Sequence, residues 1–224
     1  MRYSFLPFLL VALLASACSK NPAPIEAPAA ADVLMELKPG NRWTGKRTAH
    51  GRVLNDTLTI VSDMTTDGEK WYLSDFNERD ARPDMVYGPW MQNRGDGLYT
   101  TFNANDSRSP VERRVKFPVA LGDTAIVGDW FQVTYEDGSL GPRFRELGVV
   151  TALKERLSVH AGLFDAFKVG FRLQVDPADS TVASAESSYD AAWFAPRVGL
   201  LRAERYDAQG AVSASWELTS VTLY

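Results

Sequence analysis

Apolar and polar side chains alternate with a period of two along much of the chain, a pattern typical of β-strands with one buried face and one face in water. The longest run covers residues 167–175, in which Phe, Val, Phe, Leu and Val occupy the odd positions. Lys168, Arg172 and Gln174 lie between them. Residues 57–60, 111–117, 131–136 and 212–218 show the same alternation, whereas helical periodicity is scarce. The pattern predicts a chain built almost wholly of strands.

Turn signals separate the alternating runs at short intervals. Each signal is a dipeptide of a polar residue followed by glycine. The four dipeptides are Asp67-Gly68, Asp96-Gly97, Asp137-Gly138 and Gln209-Gly210. Asp-Gly supplies the positive φ that tight hairpins need. Short strands joined by such turns favour an all-β fold, and we expect an antiparallel wound β-roll or a partly open β-barrel.

The first residues have the three parts of a secretory signal peptide. Arg2 supplies the positive charge, residues 5–14 are almost wholly apolar, and Ala15-Ser16-Ala17 are small. The apolar run is too short to span a bilayer core, which needs about 20 helical residues. We therefore predict that residues 1–17 form a helical signal peptide that is cleaved before Cys18.

Cys18 is the only cysteine of the chain, and two fates are open to it. Ala15-Ser16-Ala17 is an A-x-A site, whose cleavage would release a soluble protein. The same residues resemble a bacterial lipobox, although Ala15 stands where the usual Leu would be and Leu14 lies one place further out. An exposed unpaired thiol is rare in exported proteins. The sequence therefore favours lipidation of Cys18, with palmitate among its acyl groups.

Residues 18–33 have the composition of a tether. Residues 19–31 are rich in Pro and Ala, and such linkers are extended and semi-rigid. Ser19, rather than Asp, follows the cysteine, which favours anchoring in the bacterial outer membrane. We place the domain on the periplasmic face, with the cell exterior as the alternative. Residues 34–224 are then expected to form a single β-rich domain, a length that suits one domain.

The charge balance argues against nucleic acid as a partner. Lys and Arg number 24 against 28 Asp and Glu, so the formal net charge is −4. The densest basic cluster, Arg113, Arg114 and Lys116, lies on an alternating run, where we expect it to form the solvent side of a strand.

Four stretches, in order along the chain, carry a family resemblance. They are residues 37–43 (LKPGNRW), 117–123 (FPVALGD), 157–169 (LSVHAGLFDAFKV) and 189–201 (YDAAWFAPRVGLL). Together they resemble the TapB-like exported domain of unknown function, which occurs in bacterial secreted and lipid-anchored proteins. The resemblance implies a wound β-roll or partly open barrel, and it implies no activity and no catalytic residues.

Motifs for catalysis, cofactors or metals are scarce. His50 and His160 are the only histidines and lie far apart in the sequence, and no phosphate-binding glycine loop is present. Four carboxylates, Asp75, Glu78, Asp80 and Asp84, lie close together and could bind calcium, but the EF-hand glycine is missing. We expect a solvated acidic loop, no metal and no cofactor.

Six tryptophans are many for one domain. Core packing accounts for most of them, since aromatic residues suit strands. Trp71-Tyr72 and Trp193-Phe194 place aromatic rings on both faces of their strands, and Trp90 follows a Gly-Pro turn. Trp71, Trp90 and Trp193 are therefore candidates to line a ligand-binding surface.

Two functions fit these observations. The first is a non-enzymatic lipoprotein that binds an envelope protein or an apolar ligand, indicated by the tether and the aromatic-rich strands. The second is an envelope hydrolase that uses carboxylates, with Asp75, Glu78 or Asp190 as acid or base. The scarcity of catalytic motifs favours the binding module.

Overall fold

The computed structural model describes residues 33–49, 51–76, 88–127, 131–134, 137–176 and 190–224. The predicted signal peptide and nearly all of the predicted tether, Cys18 included, lie outside the described residues. So do His50, Glu78, Asp80, Asp84 and Trp130. The described residues contain strands and turns and no helix.

Thirteen strands are formed by the described residues. They are β1 (Arg42–Ala49), β2 (Arg52–Thr66), β3 (Glu69–Phe76), β4 (Trp90–Arg94), β5 (Gly97–Thr101), β6 (Glu112–Lys116), β7 (Thr124–Ile126), β8 (Phe131–Thr134), β9 (Leu140–Val159), β10 (Gly162–Val175), β11 (Asp190–Ala195), β12 (Gly199–Tyr206) and β13 (Val212–Thr222).

All thirteen strands belong to one antiparallel sheet in the order β6-β5-β4-β3-β2-β1-β13-β12-β11-β10-β9-β7, and β8 pairs with another part of β9. Most neighbours are hairpins between consecutive strands. The exceptions are the pair β7–β9 and the pair β1–β13, which joins the first strand to the last, with Arg42 opposite Thr222 and Ala49 opposite Ala214. The sheet curls until its outer strands β6 and β7 approach each other. The prediction of an all-β, partly open barrel is confirmed.

The approach of β6 and β7 forms a seam, where the two strands share no backbone ladder. Lys116 Nζ, at the end of β6, lies 2.9 Å from Asp123 Oδ2, just before β7. Behind this ion pair the ring of Phe117 stacks on that of Phe167, with centroids 6.1 Å apart. An ion pair outside and an aromatic contact inside thus close the barrel at the seam.

The barrel encloses a core that follows the predicted alternation. Phe167, Val169 and Phe171 are all buried on β10, and Phe171 is only 1% exposed. The same cluster takes in Leu58 and Ile60 from β2, and other strands add residues such as Trp216 and Leu218. The inward face predicted for each of these strands is the observed one.

One end of the barrel is plugged by the segment that enters β1, residues 33–38. Leu34, Met35 and Leu37 of this segment are buried in the core cluster. Met35 forms a β-bridge with Val198 in the turn between β11 and β12. The segment that would connect to the predicted tether is therefore part of the folded barrel.

The predicted tight turns are present where the structure describes them. Between β2 and β3, Asp67 has φ +51° and Gly68 has φ +79°. Two consecutive residues with positive φ match the type I′ turn, whose twist fits a hairpin. The predicted basic cluster of β6 departs from expectation, because its three cations are half-buried in ion pairs with Asp96, Glu112 and Asp123.

Candidate ligand pocket at the unplugged end of the barrel

A pocket of about 400 Å³ lies where β1 ends and β2 begins, at the other end of β1 from the plug. Two cross-strand pairs line it, Arg47 opposite Leu54 and Ala49 opposite Arg52. Residues directly opposite each other project from the same face of a sheet. Arg47 and Ala49 also alternate with Trp43, which is buried in the core. The pocket therefore lies on the core-facing side of the β1–β2 hairpin.

Arg47, which lines the pocket, forms an ion pair with a buried carboxylate. Asp56 on β2 is only 2% exposed, and its Oδ2 lies 3.5 Å from Nε of Arg47, whose side chain is 24% exposed. A buried carboxylate needs a nearby cation, because removing a charge from water costs several kcal/mol. The attraction of Asp56 thus stabilises the position of the Arg47 guanidinium beside the pocket.

Trp216 is a core residue beside Arg47, one of the residues that line the pocket. It lies opposite Arg47 on β13, and its ring covers Gly45 so closely that a Cβ there would come within 2.1 Å of the indole. The absence of a side chain at Gly45 is what admits the ring. Glycine at this strand position is therefore explained by close approach rather than by backbone conformation.

The lining is amphipathic. Arg47 and Arg52 bring two guanidinium groups, while Ala49 and Leu54 bring apolar surface. Val212, which begins β13 at the same end of the barrel, leaves 52% of its surface exposed. The pocket thus combines positive charge with an apolar wall, and an exposed apolar residue lies at the same end of the barrel.

Two of the three candidate tryptophans lie near each other, and neither lines this pocket. Trp90 on β4 is opposite Leu73 on β3, and Trp71 lies two residues before Leu73, on the same face. Trp71 is 3% exposed but is not a member of the central cluster. The guanidinium of Arg94 lies 5.8 Å from its ring centroid. The packing of Trp71 therefore differs from that of an open aromatic platform.

Trp193 lies on β11, on a different part of the sheet from the other two. It is 5% exposed, and its Nε1 donates a hydrogen bond to Glu155 Oε2 at 3.0 Å. Lys168 Nζ lies 4.4 Å from the centroid of its ring. The structure thus does not bring the three candidate tryptophans into one site.

A second polar cluster holds the tip of the β9–β10 hairpin against β13. Glu217 Oε1 accepts a hydrogen bond from the backbone N–H of His160 at 3.1 Å. The same oxygen lies 2.6 Å from Nδ1 of the His160 ring. Arg202 Nη2 donates to Glu217 Oε2 at 2.9 Å. Burial would raise the pKa of Glu217, but the hydrogen bonds from His160 and Arg202 outweigh burial and hold that pKa below its usual range. Both carboxylate oxygens have partners, so the cluster acts as a structural latch.

The carboxylates named for a hydrolase do not form a site in the described residues. Asp75 is exposed on β3, Glu78 lies outside the described residues, and only the backbone of Asp190 is described. Four strands separate β3 from β11, which carries Asp190. The described ranges also hold no group of three His, Cys, Asp or Glu side chains suited to a metal ion. Among the same residues, no helix is long and apolar enough to cross a membrane.

Sequence reasoning missed the pocket, although one signal was available. Arg47 and Asp56 occupy positions that continue the inward alternation of Trp43 on β1 and Leu58 on β2. Charges of opposite sign at inward positions on the two arms of one hairpin indicate a buried pair. Such a pair near the end of a hairpin marks the boundary between core and solvent.

The chain is similar to one protein-family model over part of its length and to solved structures over most of it. A protein-family model described as DUF3108-like matches residues 150–218. A "putative lipoprotein" from Parabacteroides distasonis aligns with a TM-score of 0.52 at 14% identity, covering 85% of this chain and 98% of that one. A "putative exported protein with YmcC-like fold" from Bacteroides fragilis aligns with a TM-score of 0.49 at 12% identity, covering 85% and 99%. No curated protein matches. At this identity, the likeness to the Parabacteroides protein shows a shared fold.

Proposed function

We propose that this protein is a lipid-anchored module of the bacterial envelope that binds a small ligand in the pocket formed by Arg47, Ala49, Arg52 and Leu54. The observation that carries the proposal is the pocket itself, about 400 Å³ at one end of the barrel. Sites for small molecules usually measure about 300–1,000 Å³. The protein binds its ligand without converting it.

Anchoring through Cys18 is supported by the sequence of the first 33 residues. The small residues before Cys18, the single cysteine and the Pro/Ala-rich stretch after it suit a lipoprotein. Ser19 favours the outer membrane, and we place the domain on its periplasmic side. The name of the Parabacteroides structure, which describes that protein as a "putative lipoprotein", agrees with a lipid anchor.

Membership of the TapB-like exported domain is a finer part of the proposal. Its support is the order of the four motifs, two of which fall at least partly within the residues matched by the DUF3108-like model. In the structure these motifs contribute to the plug, the seam, the β9–β10 tip and the β11–β12 turn. Their roles in the barrel are architectural, which leaves ligand binding to residues outside them.

The test is whether a small molecule remains bound when the protein is isolated from bacterial envelopes. Full-length protein is purified in a mild detergent and analysed by native mass spectrometry. The variant Ala49→Trp should fill the pocket and lose the bound molecule. Thr48→Trp is the matched control, since Thr48 is the exposed neighbour on the opposite face of β1. Equal retention by both variants, or no bound molecule in the wild type, contradicts the proposal.

A further inference from the structure

We propose that the ligand of this pocket is an anionic amphiphile, with a phosphate or carboxylate head group and a short apolar chain. This inference rests on the proposed binding function and adds the chemical class of the ligand. It follows from the side chains that line the pocket, from the ion pair of Arg47 with Asp56 and from the exposed apolar residue at the same end of the barrel.

The lining selects the charge of the head group. Among the described residues that line it, Arg47 and Arg52 are cations, whereas Ala49 and Leu54 are apolar. A guanidinium is always charged and presents its N–H groups in a planar fork that fits phosphate or carboxylate oxygens. Two guanidiniums on facing strands can hold one head group between them.

The ion pair with Asp56 leaves the Nε donor of Arg47 without a hydrogen bond. Oδ2 of Asp56 lies 3.5 Å from this Nε. A charge-assisted hydrogen bond would measure about 2.7–2.9 Å. Two guanidinium groups line the pocket, and among the described residues Asp56 is the one carboxylate that pairs with Arg47. An anion entering the pocket therefore meets an excess of positive charge.

The remaining lining selects the apolar part. Ala49 and Leu54 offer no hydrogen-bonding side chains, so they suit methylene groups. Val212 adds apolar surface at the same end of the barrel, half exposed. A volume of about 400 Å³ suits a head group and a few methylenes. The chain of a longer amphiphile would leave the pocket past its rim.

The test uses three probes on the exported full-length chain carrying Cys18→Ala, so that no detergent is needed. Isothermal titration calorimetry measures octyl phosphate, octyl glucoside and inorganic phosphate, each below its critical micelle concentration where it has one. Octyl phosphate should bind at least about tenfold more tightly than either of the other two, since only it offers both the anion and the chain. Its affinity should fall as salt rises.

Arginine variants locate the site. Arg52→Gln should weaken octyl phosphate binding about tenfold without affecting the fold, because Arg52 is exposed. Arg47→Gln should do the same, but it leaves Asp56 without this cation, so the double variant Arg47→Gln/Asp56→Asn accompanies it. Arg42→Gln is the matched control, an exposed arginine at the other end of β1.

The outcomes separate this inference from the proposed function. Equal binding of octyl phosphate and octyl glucoside, unchanged in the arginine variants, overturns the anionic ligand and leaves a binding pocket. Inorganic phosphate binding as tightly as octyl phosphate overturns the amphiphile and indicates a free anion. Binding of none of the probes overturns the inference. The proposed function is overturned separately, by equal retention of the envelope-derived molecule in Ala49→Trp and Thr48→Trp or by its absence from the wild type.

Discussion

Lys116 and Asp123 form an ion pair across the seam, with Nζ and Oδ2 2.9 Å apart, although their strands share no hydrogen-bonded ladder. Hydrogen bonds from Lys116 and from the backbone N–H of Ala120 hold the pKa of Asp123 below its usual range. Such a pair joins the two edges of the sheet without the regular ladder that holds the other strands. The seam is therefore the place where the barrel should open most readily.

Asp123→Asn should increase amide hydrogen exchange in β7 while leaving global stability nearly unchanged. A surface ion pair contributes about 0–1 kcal/mol, but local opening responds to the few interactions present at the seam. Hydrogen exchange with mass spectrometry measures the effect. Asp106→Asn is the control, because it breaks an exposed pair with Arg108 in a loop. Equal exchange of β7 in both variants would show that the ion pair does not hold the seam.

Phe171→Ala should lower the free energy of unfolding by about 3–5 kcal/mol. Phe171 is 1% exposed, and its removal leaves a cavity in the core. Arg172→Ala, the exposed neighbour, should change stability by less than about 0.5 kcal/mol. Denaturant titration compares the two. If Arg172→Ala were the weaker protein, the inward face of β10 would be wrongly assigned.

Gly45→Ala should destabilise the protein by about 1–3 kcal/mol, the usual cost of overpacking. The added Cβ would fall 2.1 Å from a ring atom of Trp216, which is 6% exposed and has little room to move. At Gly170 a Cβ would meet Thr151 Cγ2 at an ordinary 3.6 Å. Gly170→Ala is thus the control, and thermal melts should place it close to the wild type.

Stability should fall in acid as Glu217 is protonated. The pKa of Glu217 is lowered in the folded protein from its ordinary value of 4.5. A depressed carboxyl pKa contributes stability above the unfolded pKa, and this contribution is lost as pH falls through the folded pKa. Glu217→Gln should therefore destabilise at pH 7 and lose less on acidification below about pH 4.5. Urea titrations at several pH values test this, with Glu69→Gln, an exposed partner of Arg94, as the control. Parallel pH profiles for wild type and Glu217→Gln would contradict it.

Cys18→Ala should move the protein from the membrane fraction to the soluble fraction. The change removes the thiol that would carry the lipid, and the A-x-A site remains available for cleavage. Fractionation of cells reports the location, and intact-mass analysis of the wild type should show a mass increase on Cys18. An unmodified thiol on the mature wild-type protein would refute lipid anchoring.

Local alternation predicted the fold well where one strand face meets the core. The run of residues 167–175 fixed the inward positions of Phe167 and Phe171, because a period of two assigns faces without reference to other strands. Lys168 illustrates the limit of that reasoning. It points outward as predicted, but it lies over the ring of Trp193 and is half-buried there. The burial of Lys168 depends on the residue opposite it on the neighbouring strand, which its own strand does not reveal.

The pocket depended on relationships that a single run does not contain. Arg47 and Asp56 interrupt two apolar faces, and each alone resembles a solvated residue. Only the register of β1 and β2, with Gly45 opposite Asp56 and Arg47 opposite Leu54, places the two charges beside each other. The candidate tryptophans were chosen by residue type, and packing distributed them over separate strands.

The pairing of β1 with β13 has a consequence for how the chain is made. During synthesis β1 can pair with β2 as soon as β2 has been produced. The other edge of β1 has no pairing strand until β13 has been synthesised. Pairing over such a sequence distance is slow, and an unpaired edge can recruit other chains. A product truncated before β13 would keep that edge of β1 and the facing edge of β12 open. Such a fragment should aggregate or be degraded rather than persist as a smaller barrel.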